Sequence, residues 1–318
     1  MKNQGFVGSV LVIKDNKGYL NYATGMANKA KHQPNTTNSA YLINSIQKAM
    51  TATMFMQLVK SGKVKLTDKL VKFYPQAPNA SKITMEQLLQ MTSGLTYAEN
   101  DYGSPKYSSD QTGIKYDLKK TKFVTQNYGK RSYQPINYVL LAGIIEKVTH
   151  KSYEENFNER IGKKLGLKHT AFVWSKRVNR INFAKSYQKD KQTKELQPVD
   201  LDINELHGEF GTGSLVMSNS DLYKVTKAML NGTLLSKKDR DRLFVGSSEE
   251  VQGGNYGGGF YNFATYHGAN GAGNGYISFL RISNDGKTAI IVQANYPIKS
   301  YFKMRDEINQ LMENLLTS

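Results

Sequence analysis

Ser45 and Lys48 begin a long apolar helical pattern, which continues to Val59 and meets a stop at Gly62. Residues three apart share one face of a helix, so Lys48 would lie next to Ser45. A serine hydroxyl is a weak nucleophile near neutral pH, and a neighbouring lysine can take its proton when the ammonium is partly neutralised. A first-turn serine also gains from the positive end of the helix dipole, and its backbone N–H can face an oxyanion. The pair is therefore suited to acyl transfer through a serine ester.

The same spacing occurs twice more, in the pairs Ser186/Lys189 and Ser300/Lys303, so spacing alone decides little. A serine before a long helix is most often an N-cap, with the lysine a solvated surface charge. The surroundings favour Ser45, because an apolar run precedes it and an apolar helix follows it, where a charge must be paired or neutralised. The other two copies lie in polar or terminal stretches.

The pattern of apolar residues along the chain predicts an antiparallel sheet built from both chain ends. Apolar runs bounded by turn residues indicate strands, and apolar residues every three to four positions indicate helices. Strands are predicted over 8–13, 19–24, 259–265, 276–283 and 288–295, and helices over 85–90, 137–149, 153–161, 220–230 and 302–316. The predicted fold class is α/β (α+β), with an antiparallel β-sheet flanked by helices and a mostly helical lobe inserted between the two ends.

The length of the chain, 318 residues, allows an ample core. We expect one catalytic unit over 1–318, in which 1–64 and 203–318 form a sheet-plus-helix lobe and 65–202 a mostly helical lobe. The chain has no cysteine, which excludes disulfides, thiol catalysis and cysteine-ligated metals. Its five histidines show no metal-ligand spacing, so neither a cofactor nor a metal is expected.

The formal net charge of +17 indicates a polyanionic partner. The chain has no basic tail, no RNA-binding aromatic signature and no zinc-finger spacing, and these absences disfavour nucleic acid. An anionic cell-envelope polymer is one alternative, and a diffuse basic surface without a specific partner is another. The sequence has no signal peptide and no apolar run of eighteen residues, and it begins almost directly in a strand. We therefore expect that a native leader or anchor has been removed, and that membrane association occurs only through a segment outside this sequence.

Several further segments bear on function. Tyr133 lies on a predicted loop just before the turn-forming Pro135, and a phenol there can relay a proton to a leaving group. The stretch 266–273 consists largely of small residues on a strand edge, where the backbone can approach a ligand. Residues 211–214 could border the cleft, but they are interpreted as a tight turn before a strand. The aromatic-rich tract 97–107 is predicted to be a long loop whose tyrosines could contact a polymer.

These segments occur in the order found in serine β-lactamase-like or penicillin-binding-protein-like proteins of the class C esterase group, and the resemblance covers essentially the whole chain. It implies an antiparallel sheet between helices with a mostly helical lobe, and acyl transfer through a serine ester. Ser45 then corresponds to the nucleophile, Lys48 to its base, and Tyr133 to the tyrosine that assists proton transfer.

The resemblance also assigns the third motif and the oxyanion hole. His267 takes the lysine or histidine position of that motif, and Gly268 and Ala269 complete it. The oxyanion hole would be formed by the N–H groups of Ser45 and Asn270.

Two departures from the family pattern concern the substrate. Pro135 stands where the family has an asparagine that binds a substrate amide, and proline has neither a side-chain donor nor an N–H. Ala269 replaces the usual glycine, and its methyl group narrows the approach of an acyl group. Losing a contact built for an amide should weaken the use of peptides and β-lactams. The inference is that the reaction is kept and the substrate has changed.

Among relatives with altered motifs, the chain most resembles the D-alanyl esterases of teichoic acids in Gram-positive cell walls. The resemblance implies an extracellular protein of the cell envelope, with lipoteichoic or wall teichoic acid as the anionic substrate. Three alternatives stay open: a D,D-carboxypeptidase acting on peptidoglycan stem peptides, a promiscuous carboxylesterase, and a catalytically silent wall-binding protein. The last ranks lower because Ser45, Lys48 and Tyr133 are all retained.

Overall fold

The computed structural model describes residues 5–98, 109–246, 250–251 and 254–318. Within this part of the chain, the strands are β1 (Gly8–Lys14), β2 (Lys17–Thr24), β3 (Met26–Asn28), β4 (Gln33–Pro34), β5 (Ala40–Leu42), β6 (Ser93–Tyr97), β7 (Thr121–Tyr128), β8 (Thr170–Phe172), β9 (Tyr187–Lys189), β10 (Leu196–Pro198), β11 (Leu215–Ser218), β12 (Glu250–Val251), β13 (Gly254–Gly257), β14 (Phe260–Asn262), β15 (Tyr266–Gly273), β16 (Tyr276–Ser283) and β17 (Ala289–Ala294).

The α-helices of the same described residues are α1 (Gln47–Lys60), α2 (Met85–Leu89), α3 (Asp110–Lys119), α4 (Ile136–Thr149), α5 (Tyr153–Phe157), α6 (Lys163–Leu165), α7 (Ile203–Gly208), α8 (Asn219–Leu230), α9 (Lys237–Leu243) and α10 (Tyr301–Thr317). Short 3₁₀ turns occupy Asn44–Ile46, Leu70–Lys72 and Lys176–Arg180, and a π-helical turn follows α5 at Asn158–Gly162. None of the helices formed by the described residues is both long enough and apolar enough to cross a membrane.

The main sheet of the described residues has eight strands in the order β12-β13-β14-β15-β16-β17-β1-β2. Its neighbouring strands are antiparallel, and β1 lies directly between β17 and β2. Gly8 pairs with Ala294, so the first and last strands of the chain meet in one sheet. The predicted fold class, an antiparallel sheet built from both chain ends and flanked by helices, is confirmed.

Both faces of this sheet are covered, which explains why β1 is apolar along nearly its whole length. Successive side chains of a strand point to opposite faces. Leu11 and Ile13 belong to the core that includes α1, whereas Val10 and Val12 pack with the side chains of α10. The sheet is therefore sandwiched between a helical layer on each side.

Helix α1 lies at the centre of the molecule and packs against α4 of the helical region. Its side chains from Gln47 to Met56 are buried, so this helix is enclosed on all sides rather than on one face. A helix enclosed in this way is fixed by neighbours on every side, and its first turn is held in one place.

Some predicted boundaries are wrong for physical reasons. The strand predicted over 259–265 is shorter in the structure, where β14 spans Phe260–Asn262. It begins after Gly259 because Gly258 and Gly259 have positive φ angles and form a turn. The helix predicted over 153–161 ends as α5 and continues as the π-helical turn. The sequence analysis also overlooked the three-stranded sheet β5-β11-β8, whose strands have three or four residues each. Its strand β8 comes from residues that had been assigned to the mostly helical lobe; the lobe boundaries stay a prediction.

Candidate active site

The turn that carries Ser45 is tied to two strands by its neighbour Asn44. Asn44 has a φ of 48°, in the left-handed region that asparagine tolerates better than most residues. Its side-chain amide donates hydrogen bonds to the carbonyl oxygens of Leu42 and Gly273, each at 3.3 Å. The end of β15 is thereby held against the 3₁₀ turn Asn44–Ile46, in which Ser45 precedes the first residue of α1.

Lys48 lies directly under the Ser45 hydroxyl. Its Nζ atom is 2.8 Å from Ser45 Oγ and 3.4 Å from the carbonyl oxygen of Thr212. The lysine is only 1% exposed, and its Nζ also lies 5.3 Å from the ring centroid of Tyr133. The structure thus gives the amine the short contact to a hydroxyl that proton transfer requires.

The segment opposite Lys48 is fixed by polar side chains of α1. Gln47 accepts hydrogen bonds from the backbone N–H groups of Ser214 and Leu215, at 2.7 and 2.8 Å. Thr51 donates to the carbonyl oxygen of Gly211 at 2.6 Å. These bonds hold the segment 211–214 against the helix, and one of its carbonyls is presented to Lys48. The segment interpreted from sequence as a tight turn therefore also borders the reactive pair.

Tyr133 enters the site from the loop before α4. Helix α4 begins directly after Pro135, one residue earlier than predicted. Asn137, in its first turn, accepts a hydrogen bond from Ser93 at 2.6 Å and donates one to the Gln134 carbonyl at 2.9 Å. The Tyr133 ring packs edge-on against Tyr256, with centroids 5.7 Å apart. The loop residue after Tyr133 is thereby tied to α4, and the Tyr133 ring itself is packed against Tyr256.

Ser45 lies between two cavities. The first, about 400 Å³, is also lined by Lys48, Pro135 and the carboxylate residues Asp117, Glu205 and Glu209; we call it the carboxylate-lined cavity. The second, about 250 Å³, is lined by Arg131 and by Tyr133, Tyr256, Tyr261 and Tyr301; we call it the tyrosine-lined cavity. A separate cavity of about 490 Å³ around Phe157 and Arg177 shares no residue with either and lies away from Ser45.

The acidic residues of the carboxylate-lined cavity differ in their electrostatics. Burial raises the pKa of Asp117 to about 7, although Tyr97 donates a hydrogen bond to it and Lys120 is nearby. Glu209 keeps contact with solvent through the cavity. Partial burial of its carboxyl raises its pKa, and the positive charge of Lys48 opposes this rise. Neither residue was predicted from sequence, because isolated acids carry no spacing signal.

Strand β15 turns an unpaired edge towards Ser45. Its N-terminal part pairs with β14, but only as far as Gly268. The Phe263 N–H donates to the Tyr266 carbonyl, so even-numbered residues of β15 direct their backbone groups to this edge. The N–H groups of Asn270 and Ala272 therefore face the free edge. Asn270 lines the tyrosine-lined cavity, and Ala272 lines both cavities.

Two contacts fix this edge close to Ser45 and place a positive charge behind it. Gly271 lies against the Ser45 turn so closely that a Cβ atom there would fall on the carbonyl oxygen of Ile43. Behind the strand, the buried Arg281 guanidinium donates to Asn270 Oδ1 at 2.9 Å. Burial lowers its pKa only to about 10, so it stays positive at neutral pH. Ala272 was missed from sequence, since a strand of glycine and alanine shows no alternation.

The structure does not bring His267 into either cavity. Its ring is 8% exposed, lies 2.7 Å from Asn262 Oδ1 through Nδ1, and packs against Phe244 and Phe260. Burial lowers its pKa to about 4, which makes it neutral near pH 7. Gly268 likewise lies in the part of β15 that pairs with β14. Of the predicted third motif, only Ala269 lines a cavity with Ser45.

The other Ser-x-x-Lys copies have different surroundings. Ser186 donates a hydrogen bond to the Asn274 carbonyl at 2.7 Å, and Ser300 accepts one from the Lys303 N–H as the N-cap of α10. Most of the tract 97–107 that was predicted as a loop lies outside the described residues; Tyr97, at the end of β6, lines the carboxylate-lined cavity.

A family model described as Beta-lactamase matches residues 1–312 of the chain. This chain belongs to the beta-lactamase family. A teichoic acid D-alanine hydrolase of Staphylococcus aureus (strain MRSA252) is 28% identical over 313 residues, which are 98% of this chain and 76% of that relative. The family resemblance drawn from the sequence is thereby confirmed.

Solved structures agree with this membership. FmtA from Staphylococcus aureus is similar with a TM-score of 0.83 at 28% identity, covering 98% of this chain and 83% of that one. A penicillin-binding protein from Bacillus halodurans is 17% identical with a TM-score of 0.82, covering 98% of this chain and 97% of that one. The second likeness concerns the fold alone. Together with the family match, the relatives support a serine hydrolase.

Proposed function

We propose that the protein is an esterase that removes D-alanine from D-alanylated teichoic acid through an acyl-enzyme on Ser45. The observation that carries this proposal is the 2.8 Å contact between Lys48 Nζ and Ser45 Oγ, placed between two cavities. The 28% identical teichoic acid D-alanine hydrolase, which is matched over 98% of this chain, supports the choice of substrate.

In the acylation step, Ser45 Oγ attacks the carbonyl carbon of the D-alanyl ester while its proton passes to Lys48 Nζ. The negative oxygen that forms is held by the N–H of Ser45 and by the N–H groups on the free edge of β15. The C–O bond to the polyol then breaks. The departing oxygen takes a proton from the Tyr133 phenol, which regains one from Lys48.

In the deacylation step, water attacks the Ser45 ester. Lys48 and Tyr133 accept the water proton and return one to Ser45 Oγ, so D-alanine leaves and the enzyme is restored. No metal or cofactor takes part in this scheme.

The changed motif residues support an ester rather than a peptide. Pro135 lines the carboxylate-lined cavity, where a family asparagine would offer an amide group to a peptide substrate. Ala269 lines the tyrosine-lined cavity beside Tyr133. An alkoxide leaves more readily than an amine, so an ester tolerates the loss of one polar contact. The net charge of +17 would attract a polyphosphate polymer.

This function would be carried out at the cell envelope, outside the cytoplasm, because teichoic acids are polymers of the Gram-positive envelope.

The test is to incubate wild type and the Ser45→Ala variant with D-alanylated lipoteichoic acid and with a muropeptide ending in D-Ala-D-Ala, and to quantify free D-alanine. We expect release from lipoteichoic acid by wild type alone. Release from the muropeptide only would replace the esterase with a D,D-carboxypeptidase. Release from neither would favour a silent wall-binding protein.

A further inference from the structure

The two cavities that share Ser45 differ in charge. The carboxylate-lined cavity contains three acidic residues against Lys48 and Lys120, and Lys48 is engaged with Ser45. The tyrosine-lined cavity contains no acidic residue among the described residues that line it, and its charged residue is Arg131. Since an ester has an acyl side and an alcohol side, this asymmetry raises the question of which side enters which cavity.

The position of Tyr133 decides the orientation independently of charge. A phenol that protonates the departing alcohol must lie on the alcohol side of the ester. Tyr133 lines the tyrosine-lined cavity and is not among the described residues that line the other one. The alcohol therefore leaves through the tyrosine-lined cavity, and the acyl group enters the carboxylate-lined cavity.

We propose that Glu209 binds the α-ammonium of the acyl group, and that Arg131 binds a phosphate next to the departing alcohol. This proposal rests on the proposed function, because it takes a D-alanyl ester of a polyol phosphate as the substrate. It adds an orientation and two specificity residues that neither the resemblance nor the relatives assign. The substrate is cationic at one end and anionic at the other, and the two cavities match it in that order.

Glu209 is built into the turn that faces Lys48. Its carbonyl oxygen accepts hydrogen bonds from the N–H groups of Thr212 and Gly213, each at 2.9 Å, and the Thr212 carbonyl is the one that Lys48 contacts. A Cβ atom at Gly213 would fall on Glu209 Oε2, so the glycine makes room for this carboxylate. No residue of the described part of the chain forms an ion pair with Glu209.

The other two acids of the cavity are less suited to this role. Asp117 accepts a hydrogen bond from Tyr97, and burial raises its pKa to about 7, so near neutral pH a good part of it is uncharged. Glu205 is exposed like Glu209, but it lies within α7, one helical turn before the turn whose Thr212 carbonyl contacts Lys48. An α-amino group has a pKa of about 8, so it is mostly protonated at pH 7 and needs a charged partner.

Arg131 is held in a fixed plane in the tyrosine-lined cavity. Its guanidinium carbon lies 5.6 Å from the ring centroids of both Tyr256 and Tyr261, and one of its nitrogens donates to the Tyr261 hydroxyl at 3.4 Å. A planar, oriented guanidinium can bind two phosphate oxygens at once. A phosphodiester on the carbon next to the one that carries the ester oxygen would lie on this side of Ser45.

The test uses four esters of glycerol that vary each charge separately: D-alanyl and propionyl esters, each with and without a phosphate on the glycerol. Propionyl is D-alanyl without its ammonium. The kcat/KM of each ester is measured for wild type, Glu209→Gln and Arg131→Gln. Matched controls are Glu159→Gln, which removes an exposed carboxylate paired with Lys151, and Arg242→Gln, which removes an exposed guanidinium.

We expect Glu209→Gln to reduce the preference for D-alanyl over propionyl by roughly 10- to 100-fold, and Arg131→Gln to reduce the preference for phosphate by a similar factor, the size of a charge-assisted contact. Because each preference is a ratio within one variant, partial loss of folded protein cancels. The controls should keep both wild-type ratios.

Three results would overturn the orientation: unchanged ratios in both variants, an equal loss on all four esters, or exchanged effects in which Arg131→Gln alters the D-alanyl preference. If wild type hydrolyses none of the D-alanyl esters, the proposed function itself fails and the orientation fails with it. If wild type hydrolyses the D-alanyl esters but neither substitution changes the two preference ratios, the orientation alone is overturned.

Discussion

The Nζ atom of Lys48 lies 2.8 Å from Oγ of Ser45, and both groups are fixed by contacts on either side of them. Asn44, the residue before Ser45, donates a side-chain hydrogen bond to the Gly273 carbonyl, and Lys48 contacts the Thr212 carbonyl. Neither Ser186 nor Ser300 has such a lysine contact among the described residues; one bonds to a carbonyl and the other caps a helix. Three copies of one spacing thus have three different structural roles.

Lys48→Met should lower kcat/KM for an ester substrate by about 10²- to 10⁴-fold, because methionine preserves most of the buried volume but cannot take the Ser45 proton. The acylation rate under single-turnover conditions, followed by mass spectrometry of the Ser45 adduct, measures this loss. Lys303→Met is the matched control, because Lys303 has the same spacing from Ser300 and is exposed. A Lys48→Met rate within about threefold of wild type would remove Lys48 from the role of base.

Gly271→Ala should impair activity and stability together. Its Cβ would fall on the Ile43 carbonyl oxygen, so β15 must move away from the Ser45 turn. Such overpacking costs about 1–3 kcal/mol of unfolding free energy, and the displaced edge should also lower kcat. Urea unfolding and steady-state kinetics measure the two effects. Gly18→Ala, where a Cβ meets nothing within 4 Å, is the control that should change neither. Normal kinetics in Gly271→Ala would mean that this edge does not have to stay close to Ser45.

The elements that position Ser45 were predictable because their apolar patterns are strong. Strand β16 was predicted with its observed bounds, and α10 within one residue at each end, since an apolar run followed by turn residues marks one and a three-to-four period marks the other. The register of β15 was not predictable in the same way. Its glycines and alanines do not indicate which side chains face the core and which face the cavity. Nothing in the sequence therefore indicated that the cavity begins at Ala269 rather than at His267.

The acidic residues of the carboxylate-lined cavity could not be predicted from sequence either. Glu209 and Asp117 are far apart in the chain and reach one cavity only because α7 packs against α3. Contacts between distant elements depend on the tertiary fold, and no local spacing records them. Ser45 and Lys48 could be proposed as nucleophile and base from sequence, because the two residues lie one helical turn apart.

Pro135→Asn should make the enzyme more reactive towards amides relative to esters. Pro135 has helical angles, φ −54° and ψ −32°, which asparagine adopts without strain. The new amide would face the carboxylate-lined cavity and offer a hydrogen bond to an acyl-amide substrate, worth roughly 3- to 10-fold in acylation. The measurement is the rate of β-lactam acylation at Ser45 divided by the rate of ester hydrolysis. Pro135→Ala removes the ring without supplying an amide and should leave that ratio near wild type. Fast and complete β-lactam labelling of the unmodified protein would contradict the role given to Pro135.

His267 should make stability depend on pH in a way that a variant can isolate. Asn262 donates its amide hydrogen to the Gly257 carbonyl, so its oxygen accepts the hydrogen bond from His267 Nδ1–H. Burial lowers the folded-state pKa to about 4, against about 6.5 in the unfolded chain. As pH falls from 6.5 towards 4, the unfolded state gains a proton that the folded state does not, so the histidine's contribution to stability is present above this window and is lost within it.

His267→Asn keeps a hydrogen-bond donor but does not titrate. The unfolding free energy by which wild type exceeds this variant should therefore shrink by about 2 kcal/mol between pH 7 and pH 5. Buried carboxyls such as Asp117 titrate alike in both proteins and cancel in the difference. Urea unfolding at the two pH values measures it, and a constant difference would show that His267 is already protonated, or exposed, in the folded protein.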